Sequence, residues 1–282
     1  GSYSSPPRGA PGAAWFGNVN ILLSSYYFWP SIGGVERQTY LLAQELGRRG
    51  HSVRIVAARL EGMARRETVA GAEVIRVPAG RGGRYARMGA YLTTMSTVAI
   101  RNSQWADVLQ VQQVLYPAAA MALVARSTGR PLVALNAGSG AFGGVRLMES
   151  LPGGRLALRM LAAAATVVSM NREMTDELRG AGFPRIREIP TGVEIGEPIG
   201  EGERAEARAA LGLGDAPTAL YLGRFDHEKG VDLCVEAWAR RAPAGATLLL
   251  AGKGPTEAAL RRQVDDLAER RSSIRFLPPT RD

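Results

Sequence analysis

The sequence predicts an α/β protein with largely parallel sheets, and three observations carry that reading. Short apolar runs alternate with amphipathic stretches from end to end, the pattern of consecutive strand–helix units. A glycine pair, Gly33-Gly34, stands where the first apolar run hands over to a helix. Glu194 to Glu203 is acidic, Gly-rich and without periodicity, and breaks the alternation as a linker between two domains would.

The elements follow in order. Val19 to Ser24 reads as a buried strand, short, apolar and bounded by polar residues. The helix after the glycine pair carries Val35, Leu42, Ala43 and Leu46 on one stripe and ends at Arg48-Arg49-Gly50. His51 to Ala58 is the next strand and Ala72 to Val77 another, followed by a basic turn, Arg81-Gly82-Gly83-Arg84. Tyr85 to Ile100 reads as helix, Val108 to Gln112 as strand, Pro117 to Ser127 as helix and Pro131 to Leu135 as strand. Asn136 to Gly154, rich in Gly and Ser, reads as a loop or lid. Leu156 to Ala165, Thr166 to Ser169 and Arg172 to Gly180 read as helix, strand and helix, and Arg185 to Pro190 as the last strand of this half.

The second half opens with strand Thr218 to Leu222, helix Val231 to Arg240 and strand Thr247 to Ala251. A helix with Leu260, Val264 and Leu267 at helical spacing precedes a third strand, Ile274 to Leu277. Domains are therefore expected at 17–194 and 206–282, joined by a linker at 195–205, with 1–16 as a disordered leader or cloning scar.

Composition narrows the function classes. At 46% hydrophobic and 22% charged, the chain has the make-up of an ordinary soluble globular protein. The lone cysteine, Cys234, excludes an intramolecular disulfide and points to a reducing cytoplasm. It shares an apolar helix stripe with Val231, Val235 and Trp238, as a core thiol would. The net charge of +9 is almost all arginine, since only Lys229 and Lys253 are lysines. Genomic bias explains that, and so does attraction to phosphorylated donors or anionic lipid. No recognition helix, zinc finger or RNA-binding aromatic signature accompanies the charge, so nucleic acid is not an expected partner. There is no Asp-x-Asp, and one Cys with two scattered His offers no zinc set, so no metal is expected.

Pro30-Ser-Ile-Gly-Gly-Val-Glu36, followed by Leu42-Ala43, Leu46 and Arg49-Gly50-His51-Ser52-Val53, closely resembles the opening of glycosyltransferase family 4. The resemblance implies the GT-B architecture: two Rossmann-like domains facing a cleft, the first for the acceptor and the second for the donor. It also implies metal-independent, retaining transfer of a sugar from a UDP- or GDP-sugar to a glycan, lipid or small-molecule acceptor. Ile189-Pro190-Thr191-Gly192-Val193-Glu194 sits where family members close the first domain with Ile-Pro-Asn-Gly-Val-Asp. After three strands the second domain would be half of a Rossmann-like sheet, lacking the family's paired glutamates for donor ribose and sugar. On that resemblance the chain reads as truncated and, as written, inactive.

Several residues then become candidates. Arg224 and Lys229 lie between an apolar strand and a helix start, where unpaired cations oppose the helix dipole and a diphosphate would reverse the sign. Gly223-Arg224 followed by Lys229-Gly230-Val231-Asp232 matches the family's donor-phosphate clamp. The alternative is a solvated loop with Asp226 and Glu228 as counter-ions. Gly33 and Gly34 let backbone approach the donor, and Gly252, Gly254 and Pro255 resemble the family's turn beside the nucleotide base. Asp107-Val108-Leu109-Gln110-Val111-Gln112 replaces the family's usual histidines with glutamines, so Gln112 stands at an active-site histidine position but cannot shuttle a proton. Asn136 stands where many members have His-Gly. The acceptor-side candidates are Tyr26, Gln112, Asn136 and Thr191.

Tyr26-Tyr27-Phe28-Trp29 either stacks on a sugar or lipid at the cleft mouth or packs beneath the glycine turn. Arg59, Arg65, Arg66, Arg76, Arg81, Arg84 and Arg87 either touch a membrane, as in related lipid-modifying enzymes, or form a solvated surface. His51 reads as a structural cap, and His227 has no evident role as a base. Two further function classes compete: a non-catalytic relative that binds a nucleotide or glycan or acts as a partner subunit, and, more distantly, a nicotinamide dehydrogenase. The latter lacks its Gly-x-Gly-x-x-Gly fingerprint.

Overall fold

The computed structural model describes residues 17–31, 33–80, 82–140, 143–193 and 195–278. The leader at 1–16, Ile32 in the glycine turn, Arg81 and Glu194 lie outside the described residues, as does the side chain of Arg84. The chain divides after Val193 into two compact units.

The first unit begins with β1 (Asn20–Ser24), α1 (Gly34–Arg48), β2 (Ser52–Arg59), β3 (Arg66–Val69) and β4 (Ala72–Pro78). It continues with α2 (Arg84–Asn102), β5 (Val108–Gln112), α3 (Tyr116–Thr128) and β6 (Leu132–Leu135). The last elements are α4 (Gly144–Ser150), α5 (Gly154–Ala164), β7 (Ala165–Ser169), α6 (Arg172–Gly180) and β8 (Ile186–Glu188). The sheet runs β3-β4-β2-β1-β5-β6-β7-β8. Its ladders are parallel except β3–β4, a hairpin in which Arg66 pairs with Ile75. Both faces are covered, which is why the inner strands are near-continuous apolar runs. Leu23, Ile55 and Val74 face Tyr40, Leu42 and Ala43 of α1, whereas Leu22, Val56 and Val77 pack with Tyr91, Met95 and the α3 and α5 side chains.

Local chemistry accounts for the helix ends. Asn171 caps α6 by accepting from the Met174 backbone N–H at 2.9 Å. Pro117 sits in the first turn of α3, and Gly129 closes that helix at φ 70°, in the left-handed region that favours glycine. His51 Nδ1 accepts from the Val19 N–H at 3.2 Å, so this histidine is structural, as expected.

The second unit contains α7 (Glu201–Ala210), β9 (Thr218–Leu222), α8 (Val231–Arg241), β10 (Thr247–Ala251), α9 (Glu257–Asp265) and β11 (Ile274–Leu277). Its sheet is parallel in the order β11-β10-β9. Leu248 and Leu250 pack with Val231, Val235, Leu260 and Val264 beneath α8 and α9. Cys234 is half-buried at this core, and burial raises its thiol pKa.

Two expectations are corrected, and one strand is added. Residues 136–154 are not one loop: α4 forms within them, burying Val145 and Met148. The linker at 195–205 is shorter, because Glu203 reaches back to the Gly200 N–H at 3.1 Å and starts α7 at Glu201. Strand β3 was not foreseen, since its exposed, charged run has a pattern only its partner β4 explains.

Candidate functional site

The order of the first sheet reverses at one place. From β1 the chain moves outward through β2 and β4, then returns to lay β5 on the other side of β1. Parallel α/β sheets bind ligands outside the carboxyl ends of the strands at such a switch point. The residues there are Ser24 and the turn after β1, with Gln112 and Gln113 at the end of β5; Asn136 follows β6, the next strand over.

The turn after β1 is anchored from below. Ser25 Oγ donates to the Tyr27 carbonyl at 2.7 Å, and the Ala58 N–H to the Tyr26 carbonyl at 3.0 Å. The aromatic run divides its roles. Phe28 is fully buried, and Tyr26 packs edge-on against Tyr91 with ring centroids 4.6 Å apart. Burial, and then the neighbouring Tyr27, raises the Tyr26 pKa. Tyr27 and Trp29 are exposed, the latter tilted against Tyr40 of α1. Packing beneath the turn therefore accounts for Tyr26 and Phe28, and the open ring faces belong to Tyr27 and Trp29. Arg76, whose side chain is buried, ties the turn to the sheet: its Nε donates to Glu67 at 2.6 Å and its Nη2 to the Trp29 carbonyl.

The two glycines differ. Neither has positive φ; Gly33 is extended at φ −175°. The space beside Gly33 is filled by the Glu36 carboxylate, which neutralises the positive end of α1, whereas nothing lies within 4 Å of a Cβ on Gly34. Gly34 thus leaves open room at a helix start, and an anion reaching Gly33 meets Glu36 first.

Gln112 and Asn136 are 5% and 0% exposed, and neither amide oxygen nor nitrogen of either side chain has a hydrogen-bond partner. They lie on adjacent strand ends, since Gln112 pairs with Leu135, the residue before Asn136. Gln113 follows in a left-handed conformation, φ 74°, uncommon outside glycine and frequent at functional sites. Thr191 Oγ1 approaches Met170 Sδ at 2.6 Å beyond β7, so this sequence candidate borders the same edge of the sheet. Glu177 of α6 escaped the sequence reading. Its Oε2 accepts from the Gly140 N–H at 3.3 Å, and its buried Oε1 has no partner. Periodicity gave no hint of it, because its contact comes from the loop after β6.

In the second unit, Arg224 precedes and Lys229 ends a short turn, His227–Lys229, that leads into α8. Both are exposed, and both are paired. Arg224 Nη2 lies 2.6 Å from Asp226 and 3.3 Å from Glu228, and Lys229 Nζ lies 3.4 Å from Glu228. The counter-ions weighed in the solvated-loop alternative, Asp226 and Glu228, are in place. Exposed pairs of this kind contribute only ~0–1 kcal/mol, so a diphosphate can displace them.

Gly252 and Gly254 also take a firmer role. A Cβ on Gly252 would lie 1.9 Å from the Gly223 carbonyl oxygen, and one on Gly254 2.0 Å from that of Phe225. The Phe225 N–H donates to the Lys253 carbonyl at 2.9 Å. Absent side chains at 252 and 254 let the turn that carries Arg224 dock on the 252–254 turn. Pro255 follows directly, just before the Thr256 cap of α9. No group of His, Cys, Asp or Glu suited to a metal occurs among the described residues, and no described helix is long and apolar enough to cross a membrane.

Comparison with known proteins agrees with the topology. The profile of glycosyltransferase family 4 matches residues 32–197, more than half of the chain. A GDP-mannose-dependent α-(1-6)-phosphatidylinositol monomannoside mannosyltransferase of Mycolicibacterium smegmatis is 31% identical over 123 residues, 42% of this chain and 32% of that protein. An α-D-kanosaminyltransferase of Streptomyces kanamyceticus is 39% identical over 66 residues, 23% of this chain and 17% of that protein. Each match thus spans less than a third of the relative's length. Among solved structures, Anabaena HepE in complex with UDP-glucose superposes with TM-score 0.72 at 17% identity, covering 93% of this chain and 70% of that one. The fold is α/β of the GT-B class. The chain belongs to glycosyltransferase family 4.

Proposed function

We propose that this protein takes part in transferring a hexosyl group, with retention, from a nucleotide diphosphate sugar to a hydroxyl-bearing glycan, lipid or small-molecule acceptor. The observation that carries this is the pair of buried, unpartnered amides on adjacent strand ends, Gln112 at the sheet's switch point and Asn136 beside it. A buried amide without a partner costs ~1–3 kcal/mol, and sugar hydroxyls, each both donor and acceptor, suit groups that themselves donate and accept. In this reading Gln112 and Asn136 orient sugar hydroxyls, Thr191 and the exposed rings of Tyr27 and Trp29 border the acceptor, and Gly34 leaves room for it. Arg224 and Lys229 exchange Asp226 and Glu228 for the donor diphosphate, with Gly252, Gly254 and Pro255 on the nucleotide side.

Gln112 cannot accept the acceptor's proton. The acceptor oxygen therefore forms its bond to the anomeric carbon on the face from which the diphosphate leaves, and the departing phosphate oxygen takes the proton. Fixed cations stabilise the charge that develops on that oxygen. UDP-glucose in the Anabaena structure and the GDP-mannose dependence of the mycobacterial relative support UDP- or GDP-hexoses as the donor class. A cytoplasmic location, at the inner membrane face for a lipid acceptor, fits such donors.

Calorimetry of the 282-residue chain with UDP-glucose and GDP-mannose tests the donor, and Gln112→Leu and Asn136→Leu test the site. Binding that depends on sugar identity and is lost in these variants supports the reading. Equal affinity for the sugar nucleotides and the bare diphosphates, in wild type and variants alike, refutes the assignment of the amides. Glutamine at 110 and 112, in place of titratable side chains, favours a second reading as a binding relative. Binding of a sugar nucleotide without transfer to any acceptor in a turnover assay would support it.

A further inference from the structure

An open groove of about 440 Å³ lies between α2 and the outer strands of the first sheet. It lies on the α2 side of the sheet, with Ile75, Val77 and Val98 in its lining, whereas α1 and its glycine pair cover the opposite side. Five arginines line it, and their charge balance is uneven. Arg66 shares the Glu73 carboxylate with Arg54, and Arg76 is held by Glu67 and the Trp29 carbonyl. Arg59, Arg65 and Arg101 have no carboxylate partner among the described residues, nor any other hydrogen bond from their side chains.

Three arginines without carboxylate partners, from the end of β2, the segment before β3 and the last turn of α2, line one groove. A solvated face spreads its charge; here like charges share a partly apolar lining of a size that takes a small ligand. Arginine forks match phosphate oxygens, and apolar walls suit the body of an ester rather than a bare hydrated ion.

We propose that this groove is a second anion site, which binds a small phosphorylated molecule, free or as a lipid headgroup, through Arg59, Arg65 and Arg101. It stands apart from the donor and acceptor roles assigned above and does not depend on them. The carbonyl that Arg76 grips belongs to the turn preceding Gly34, so occupancy of the groove is one residue removed from that turn.

The test uses the full chain in an Arg224→Ala, Lys229→Ala background, which removes the other candidate phosphate site. Inorganic pyrophosphate is titrated calorimetrically, and in parallel the protein is sedimented with vesicles of phosphatidylglycerol or of phosphatidylcholine alone. Replacing Arg59 and Arg101 together by Ala should weaken pyrophosphate binding by about tenfold or more, the loss of at least one charge-assisted hydrogen bond. Arg101→Lys should recover part of it. Because these side chains have no protein partners, the melting temperature should not fall, which separates lost binding from lost folding. A pyrophosphate effect supports a soluble ligand. Loss of phosphatidylglycerol sedimentation alone, with the phosphatidylcholine control unchanged, supports a headgroup. If the variant matches its parent in both measurements, the proposal is wrong.

Discussion

β1 and β9 have the same sequence character and the same place in their units, yet opposite environments. Each is a five-residue, mainly apolar strand that opens a β–α–β unit. Leu22 and Leu23 of β1 are fully buried, whereas Leu220 and Leu222 of β9 are 60% and 62% exposed. The difference lies in their neighbours. β1 is paired on both edges, to β2 and β5, and covered on both faces. β9 is paired on one edge, to β10, and the face bearing Leu220 and Leu222 is uncovered among the described residues. A free strand edge beside an uncovered apolar face favours association. Burial is thus a property of the sheet around a strand rather than of the strand.

The contrast can be broken by mutation. The largest effect is expected from Leu23→Ala, a loss of ~2–5 kcal/mol in urea unfolding, because a cavity opens in a closed core. Leu222→Ala should change stability by no more than ~0.5 kcal/mol. A comparable loss at both positions would mean that β9 is covered in solution, and a mass measurement by light scattering would then show self-association.

The next contrast sharpens the difference between the two glycine turns. Gly254→Ala forces the Phe225 carbonyl away and should cost ~1–3 kcal/mol, since the contact is with backbone that cannot rotate aside. Gly34→Ala meets open space at a helix start and should leave the melting temperature unchanged or raise it slightly, by at most ~1 kcal/mol in stability. If Gly34→Ala unfolds the protein, the open space at that turn is not real.

Binding separates the units in the same way. Arg224→Ala and Lys229→Ala should each weaken nucleotide diphosphate affinity by ~1.5–3 kcal/mol while altering stability by less than ~1 kcal/mol, as their pairs are exposed. Unchanged affinity would put the phosphates elsewhere. The smallest effect on folding is expected from Asn136→Leu, where an unpartnered buried amide is replaced by carbon of similar size. Stability should hold or rise by ~1 kcal/mol even as sugar-nucleotide binding falls. A marked loss of stability would reveal a structural partner for the amide, such as a buried water.

Much of this molecule was legible from residues alone. Strand–helix alternation, the glycine turn at 33–34, the strands Val108–Gln112, Thr247–Ala251 and Ile274–Leu277, and family membership all follow from patterns local in the chain. Hydrophobic period and turn chemistry are written into neighbouring residues, and a family motif is itself local. What lay beyond reach depends on distant partners: β3, whose polar run makes sense only beside β4; Glu177, whose role comes from Gly140; and the isolation of the Gln112 and Asn136 amides. Gly252 and Gly254 show the same limit, since only the fold brings Gly223 and Phe225 against them. The sequence by itself determined which residues carry charge, flexibility and apolar surface. The tertiary structure alone decided which of those charges found partners and which polar groups were buried without one, because pairing and desolvation depend on distance in space and not along the chain.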